Sequence, residues 1–245
     1  MIWRVFEFPR YKLITLPTPI EKAPRLGSEL GIELFIKRDD VMELALGGNK
    51  VRKLEFIVGD ALSKGCDTLI TRGTFHSNHV RLTAAAARKA GLDVYLVLSP
   101  PGEPEFQGNI LLDRLLGANI VYAESIDEAN EAMKRIAEEL RSKGRKPYVI
   151  PGGGASPHGV LGYAVASLEI LQQLYSMGKK PRYIVHASGT GATQAGLVLG
   201  MKLLGVKDIE IIGIAISRKA REAKERIANL VNEAAKLLEI DIRVD

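Results

Sequence analysis

Apolar residues at Val51, Leu54, Ile57, Val58, Ala61 and Leu62 recur every three or four positions, the spacing of one face of a helix. That helix is predicted to start at Asn49 and to be closed by Gly65. Upstream, residues 1–20 carry Pro9, Pro17 and Pro19 and read as an extended arm. A short helix over 23–30, ended by Gly31, and a strand over 33–37 follow. Downstream, short apolar runs alternate with helical periods. Strands are predicted over 68–71, 94–98, 120–122, 148–150, 183–187, 209–216 and 240–244. Helices are predicted over 78–90, 108–116, 126–143, from the glycine loop to 175, over 192–204, and on to 238. Continuous apolar strands alternating with helices predict an α/β fold with a parallel sheet covered on both faces. The proline- and glycine-rich break at 151–157 is where one βα unit hands over to another. The strand at 240–244 would normally feed a further helix, so either the fold closes with it or the sequence is truncated.

Composition narrows the class. The chain has 245 residues, 46% apolar and 26% charged, which is ordinary for a globular protein with a sizeable core. No apolar run approaches the roughly 20 residues of a membrane helix, and the first residues lack a signal-peptide pattern. The single cysteine, Cys66, excludes an internal disulfide framework and fits a reducing, cytoplasmic location. Net charge is +5, but the basic clusters at 141–146, 179–182 and 218–226 are dispersed, and the last is interrupted by Glu222 and Glu225. That dispersal argues against a nucleic-acid partner.

One stretch breaks the charge rules. Gly47-Gly48-Asn49-Lys50-Val51-Arg52-Lys53 places three cations in the first turn of a helix, where the helix dipole disfavours them. Either they are solvated surface charges, or the site exists for an anion or for the chemistry of an amine. Arg52 has no evident task and reads as an ordinary surface residue.

Ligands of open parallel sheets sit beyond the carboxyl ends of the strands, and three loops there carry suitable groups. Ser188-Gly189-Thr190-Gly191-Ala192-Thr193-Gln194 opens a helix with glycines and hydroxyls, a cup for one phosphate. Gln194 stands where a dinucleotide fingerprint needs glycine, and the next strand ends Ala215-Ile216-Ser217 without an acid. A Walker lysine is also missing. Gly73-Thr74-Phe75-His76-Ser77-Asn78-His79 offers helix-capping groups that can equally hold a carboxylate. Its histidines lack metal-binding partners, and Ser77 lacks the turn of a hydrolase nucleophile. The third loop, 151–159, is either a hinge or a ligand-facing segment. A lysine, a single-phosphate cup and a carboxylate loop together point to pyridoxal 5′-phosphate, a cofactor with one phosphate and an aldehyde that bonds to lysine.

Four stretches resemble one known family: 47–55 around Lys50, Ser77-Asn78-His79-Val80-Arg81, 148–153, and 189–196. The family is that of the 1-aminocyclopropane-1-carboxylate deaminases and D-cysteine desulfhydrases, pyridoxal-phosphate enzymes of the tryptophan synthase β-subunit fold. The resemblance runs from about Pro17 to the last residue, Asp245. It implies two open, mostly parallel sheets, with residues 54–154 as a smaller domain and 1–53 with 155–245 as a larger, discontinuous one. By position, Lys50 would be the Schiff-base lysine and Lys53 a phosphate counter-charge. Ser77 would be the catalytic hydroxyl, Asn78 and His79 would meet cofactor or substrate, and Gly189, Thr190, Gly191, Ala192 and Thr193 would cradle the phosphate. His76 departs from the glutamine usual before that serine. The family's chains continue past Asp245 with an acidic partner for the pyridine nitrogen and with tyrosines over the substrate, so a C-terminal truncation is expected. The resemblance implies a deaminating lyase or hydrolase on a small amino acid, working as a homodimer. D-cysteine is the expected substrate and aminocyclopropane carboxylate the alternative. A non-catalytic pyridoxal-phosphate or amino-acid binding fragment is the reading of another class.

Overall fold

The computed structural model describes residues 1–100 and 107–245. Its first turn departs from the expected arm. Ile2–Glu7 forms a 3-10 helix that buries Ile2 and Val5. Their three-residue spacing is a helical period, masked in the sequence by the prolines that follow. Strand β1 (Ile20–Lys22) is also regular and pairs antiparallel with β2 (Phe35–Lys37). Between them lies α1 (Pro24–Leu30), opened by a proline and stopped by left-handed Gly31.

Helix α2 (Lys50–Ser63) is the hub, with every residue from Val51 to Ala61 buried. Its apolar stripe packs under a parallel sheet of β3 (Thr68–Thr74), β4 (Asp93–Ser99), β5 (Asn119–Tyr122) and β6 (Pro147–Ile150), in the order β5-β4-β3-β6. Leu69 and Leu96 face α2 and α3 (Asn78–Lys89), while Ile70 and Val97 face α5 (Ile126–Ser142). This alternation is the pleat of a sheet covered on both faces. Helix α4 (Gly108–Leu115) leads into β5.

A second core packs α6 (Pro157–Ser176), α7 (Ala192–Leu203) and α8 (Ala220–Leu237), and Phe56 of α2 joins it. Gly162 lets α6 reach α2, since a Cβ there would lie 2.2 Å from the Arg52 carbonyl oxygen. Strands β7 (Tyr183–Ser188) and β8 (Glu210–Ala215) pair in parallel. Helices cover one face of that pair, and Val185, Ile214 and Ile216 stand exposed on the other.

The strand expected at 240–244 does not form. Ile240, Ile242 and Val244 alternate as a strand would, but they pack on the helical core. The Asn232 side chain holds both backbone groups of Val244, taking the place of a ladder partner. No helix among the described residues is long and apolar enough to cross a membrane.

Candidate active site

The carboxyl ends of β3, β6, β7 and β8 converge on a cavity of about 1210 Å³. Lys50, the first residue of α2, lines it. Its Nζ donates to Asn49 Oδ1 at 2.9 Å, and Asn49 Nδ2 donates to Thr193 Oγ1 at 2.9 Å, which ties the starts of α2 and α7 together. Burial lowers the pKa of the Lys50 amine and moves it toward the neutral, nucleophilic form. Lys53, one turn on, is fully buried with only the Gly153 carbonyl near its Nζ, at 3.5 Å. Burial first, and then the neighbouring Lys50, push its pKa well below the ordinary lysine value.

Gly189, Thr190, Gly191 and Thr193 line the same cavity, with Ala192 buried behind them as the first residue of α7. Left-handed Gly191 (φ 92°) caps that helix without any side-chain hydrogen bond, so its first amides are free to meet an anion. The glycine loop after β6 closes against them. A Cβ on Gly153, itself left-handed at φ 71°, would sit 2.7 Å from Thr190 Oγ1. That loop therefore faces the ligand space, which answers the alternative left open by the sequence. Arg218 donates to the Gly189 carbonyl at 3.1 Å and Arg226 to the Thr190 carbonyl at 2.9 Å, which fixes the cup from outside.

Ser77 caps α3 by accepting from the Val80 amide at 3.4 Å, and it lines the cavity opposite the cup. Asn78 is exposed there, its Oδ1 accepting from Arg81 and Asn109. His79 is buried, its Nε2 2.9 Å from Thr71 Oγ1 and its Nδ1 without a partner. Burial first, then Lys50, Lys53 and Arg72, hold it neutral by driving its pKa well down. His76 does not join this group; it is exposed beside Gly108 and Asn109.

Arg52 corrects the sequence reading, since it is among the most buried side chains and not a surface residue. It donates to Asp39 at 2.8 and 2.9 Å, to Glu169 at 2.9 and 3.0 Å, and to Thr18 at 2.9 Å. Lys37 adds a bond to Glu169, and Tyr163 donates to Asp39 at 2.6 Å. Burial alone would raise the Glu169 carboxyl; the Arg52 and Lys37 hydrogen bonds outweigh it and hold the pKa down at about 2. Partners 13 and 117 residues away leave no local pattern to read. The sequence singles out Ser188 with the cup but assigns no site role to Arg72, His186, Arg218 and Arg226, all in the cavity wall. Arg72, His186 and Arg218 lie at or just past the carboxyl ends of predicted strands, whereas Arg226 lies within a helix and carries no such signal.

These residues fit pyridoxal phosphate. A lysine with a burial-lowered pKa stands near an anion cup, and His79 Nδ1, His186 Nε2 and Ser188 Oγ are buried polar atoms without partners among the described residues. No group of metal-ligating side chains occurs among the described residues.

The comparisons agree with that chemistry. The model of the pyridoxal-phosphate dependent enzymes matches residues 11–240. A putative 1-aminocyclopropane-1-carboxylate deaminase of Pyrococcus horikoshii is 47% identical over 240 residues, covering 97% of this chain and 72% of that protein. A D-cysteine desulfhydrase of Salmonella typhi is 42% identical over 243 residues, covering 97% of this chain and 74% of its own length. The solved structure of an ACC deaminase homologue superposes with a TM-score of 0.92 at 46% identity, covering all of this chain and 74% of that one. The chain belongs to the pyridoxal-phosphate dependent enzymes and, within them, to the group that holds the 1-aminocyclopropane-1-carboxylate deaminases and D-cysteine desulfhydrases.

Proposed function

We propose that the chain is the catalytic part of a D-cysteine desulfhydrase, converting D-cysteine and water to pyruvate, hydrogen sulfide and ammonia. The carrying observation is the cavity wall, where Lys50, its pKa lowered by burial, stands with Arg72, Arg218 and Arg226. The expulsion of hydrosulfide, an anion, is eased by such a wall, whereas opening a cyclopropane ring releases no anion. Bound pyridoxal phosphate supplies an electron sink for charge developing at the substrate's Cα. Lys50 anchors that cofactor and takes the Cα proton as the C–S electrons leave with sulfur. Lys53 and the amides of Gly191 to Thr193 hold the phosphate, and Ser77 and Asn78 receive the substrate carboxylate. His79, neutral and buried, orients the loop that carries them. On this reading residues 54–154 form the smaller body, which carries Ser77, and the flanks form the larger, which carries Lys50 and the cup. We infer a cytoplasmic location, with which the unpaired Cys66 is consistent, and a homodimer, as the family resemblance implies. Both reactions are lyase chemistry, and the hydrolase class expected beside it finds no support among the relatives.

The second reading, aminocyclopropane carboxylate as substrate, is favoured by relatives of that description at 46–47% identity. One assay separates the readings: D-cysteine should release pyruvate, and aminocyclopropane carboxylate should give little 2-oxobutyrate. The reverse ratio overturns the choice of substrate. Lys50→Ala should abolish the visible absorbance that the cofactor gains on bonding to a lysine. Retention of that band would remove Lys50 from its role.

A further inference from the structure

Three guanidinium groups, those of Arg72, Arg218 and Arg226, share the cavity wall with the two lysines. Lys50, Lys53, Arg72, Arg218 and Arg226 line it, and none of them forms an ion pair among the described residues. A further lining cation, Lys37, is bonded to Glu169. Asp39, the one acidic residue of the wall, is occupied by Arg52, Thr18 and Tyr163.

Arg72 lies near the end of β3, Arg218 between β8 and α8, and Arg226 on α8, so three separate elements bring guanidinium groups to one rim. Arg218 and Arg226 bond to the carbonyls of Gly189 and Thr190, on the outer side of the phosphate cup. Arg72 is held by Asn130, its Nε donating at 2.5 Å, and its Nη1 would lie 3.3 Å from a Cβ on Gly152, across from the cup. The terminal nitrogens of Arg72 and both of those of Arg226 have no hydrogen-bond partner among the described residues, although burial and mutual repulsion weigh on these groups. Asp127 and Glu233 attract Arg72 and Arg226 from a distance without reaching them. Forked donors left free in one cavity wall suit an oxyanion.

We propose that Arg72, Arg218 and Arg226 form a second oxyanion seat at the cavity mouth, separate from the cup at the start of α7, for a phosphate group that is free or carried on a small molecule. The seat is independent of which amino acid is the substrate. It rests on the cup being filled by the cofactor.

The test is calorimetric titration of the cofactor-loaded protein with inorganic phosphate. One equivalent per chain should bind, and Arg72→Gln and Arg226→Gln should each weaken it about tenfold, the effect of one charge-assisted contact. A parallel titration with glycerol phosphate tells the sources apart: tighter binding of the ester marks a carried phosphate, and tighter binding of the free ion marks inorganic phosphate. If the loaded protein takes up no phosphate from either probe, or if both variants bind as the wild type does, the proposal is overturned. A loaded protein that binds none, with variants that lose the cofactor's visible band, assigns the arginines to the cofactor's own phosphate and likewise overturns it. Failure of the substrate reading shows separately, in pyruvate release, and leaves the calorimetric result intact.

Discussion

The two sides of α2 handle buried charge in opposite ways. Toward α6, Arg52 meets Asp39 and Glu169 with four hydrogen bonds, and Lys37, Thr18 and Tyr163 complete the network. Toward the cavity, Lys50 and Lys53 meet no carboxylate among the described residues. The residues are neighbours in sequence and alike in charge, so the difference lies in what the fold supplies opposite them. Charge that is cancelled holds structure together; charge that is left over waits for a ligand.

Breaking the cancelled side should have the largest effect. Arg52→Met leaves Asp39 and Glu169 buried without their main partner, and a loss of about 3–5 kcal/mol is expected. Urea unfolding measures it, and a loss below about 1 kcal/mol would mean that the network is incidental.

Asp113 extends the comparison to an acid. It is fully buried on α4 with both oxygens unpartnered, and burial raises its pKa to about 7 against a weaker opposing pull from Arg81. The folded chain therefore keeps the proton that the unfolded chain gives up near 3.8. Its contribution to stability is full below that value and is lost as pH rises through about 7. Asp113→Asn should flatten this slope and be worth about 4 kcal/mol above pH 8, read from unfolding at several pH values. Unchanged slopes in wild type and variant would place a hydrogen-bond donor beside an ionised Asp113.

Lys53 should give a smaller effect with the opposite sign to Arg52. A lysine with a lowered folded-state pKa weakens the fold wherever the unfolded chain holds the proton, so the deficit is present at neutral pH and fades toward 10.5. Lys53→Met should stabilise the cofactor-free protein by about 1–2 kcal/mol at pH 7 and weaken cofactor binding. Destabilisation instead would show that Lys53 has a structural partner.

The same contrast marks what could be read from sequence. The α2 cations were conspicuous because they offend the helix dipole, and the cup and the Ser77 loop follow from glycines and hydroxyls at strand ends. Local chemistry of that kind survives in a linear string. Arg52 did not, because its partners are set by tertiary packing, and Arg72, Arg218 and Arg226 converge only once three elements meet. The strands and helices of the four-stranded sheet were legible from periodicity within a few residues. Segment 240–244 misled because alternating apolar residues suit a helix surface as well as a sheet.

The smallest effect is expected in the loop that joins the two sides. Ala45 and Leu46 both adopt positive φ, 41° and 65°, immediately before Gly47 and Gly48. Such backbone costs about 1–2 kcal/mol per non-glycine residue and persists only when its surroundings impose it. Here the Gly48 amide bonds to the Asp39 carbonyl at 2.9 Å, and the Gly47 carbonyl accepts from Arg81 at 2.9 Å. Asp39 thus binds Arg52 with its side chain and steadies the approach to Lys50 with its backbone. Leu46 is 73% exposed, so its side chain adds little packing. Leu46→Gly relieves strain and adds chain entropy to the unfolded state, two terms of similar size, so unfolding free energy should change by less than about 1 kcal/mol. Cofactor release should nevertheless quicken, because the glycine removes the stiffness that aims Lys50. Stability and release that both stay unchanged would mean that the strained turn is a by-product of chain direction and that Lys50 is aimed by Asn49 and Thr193 alone.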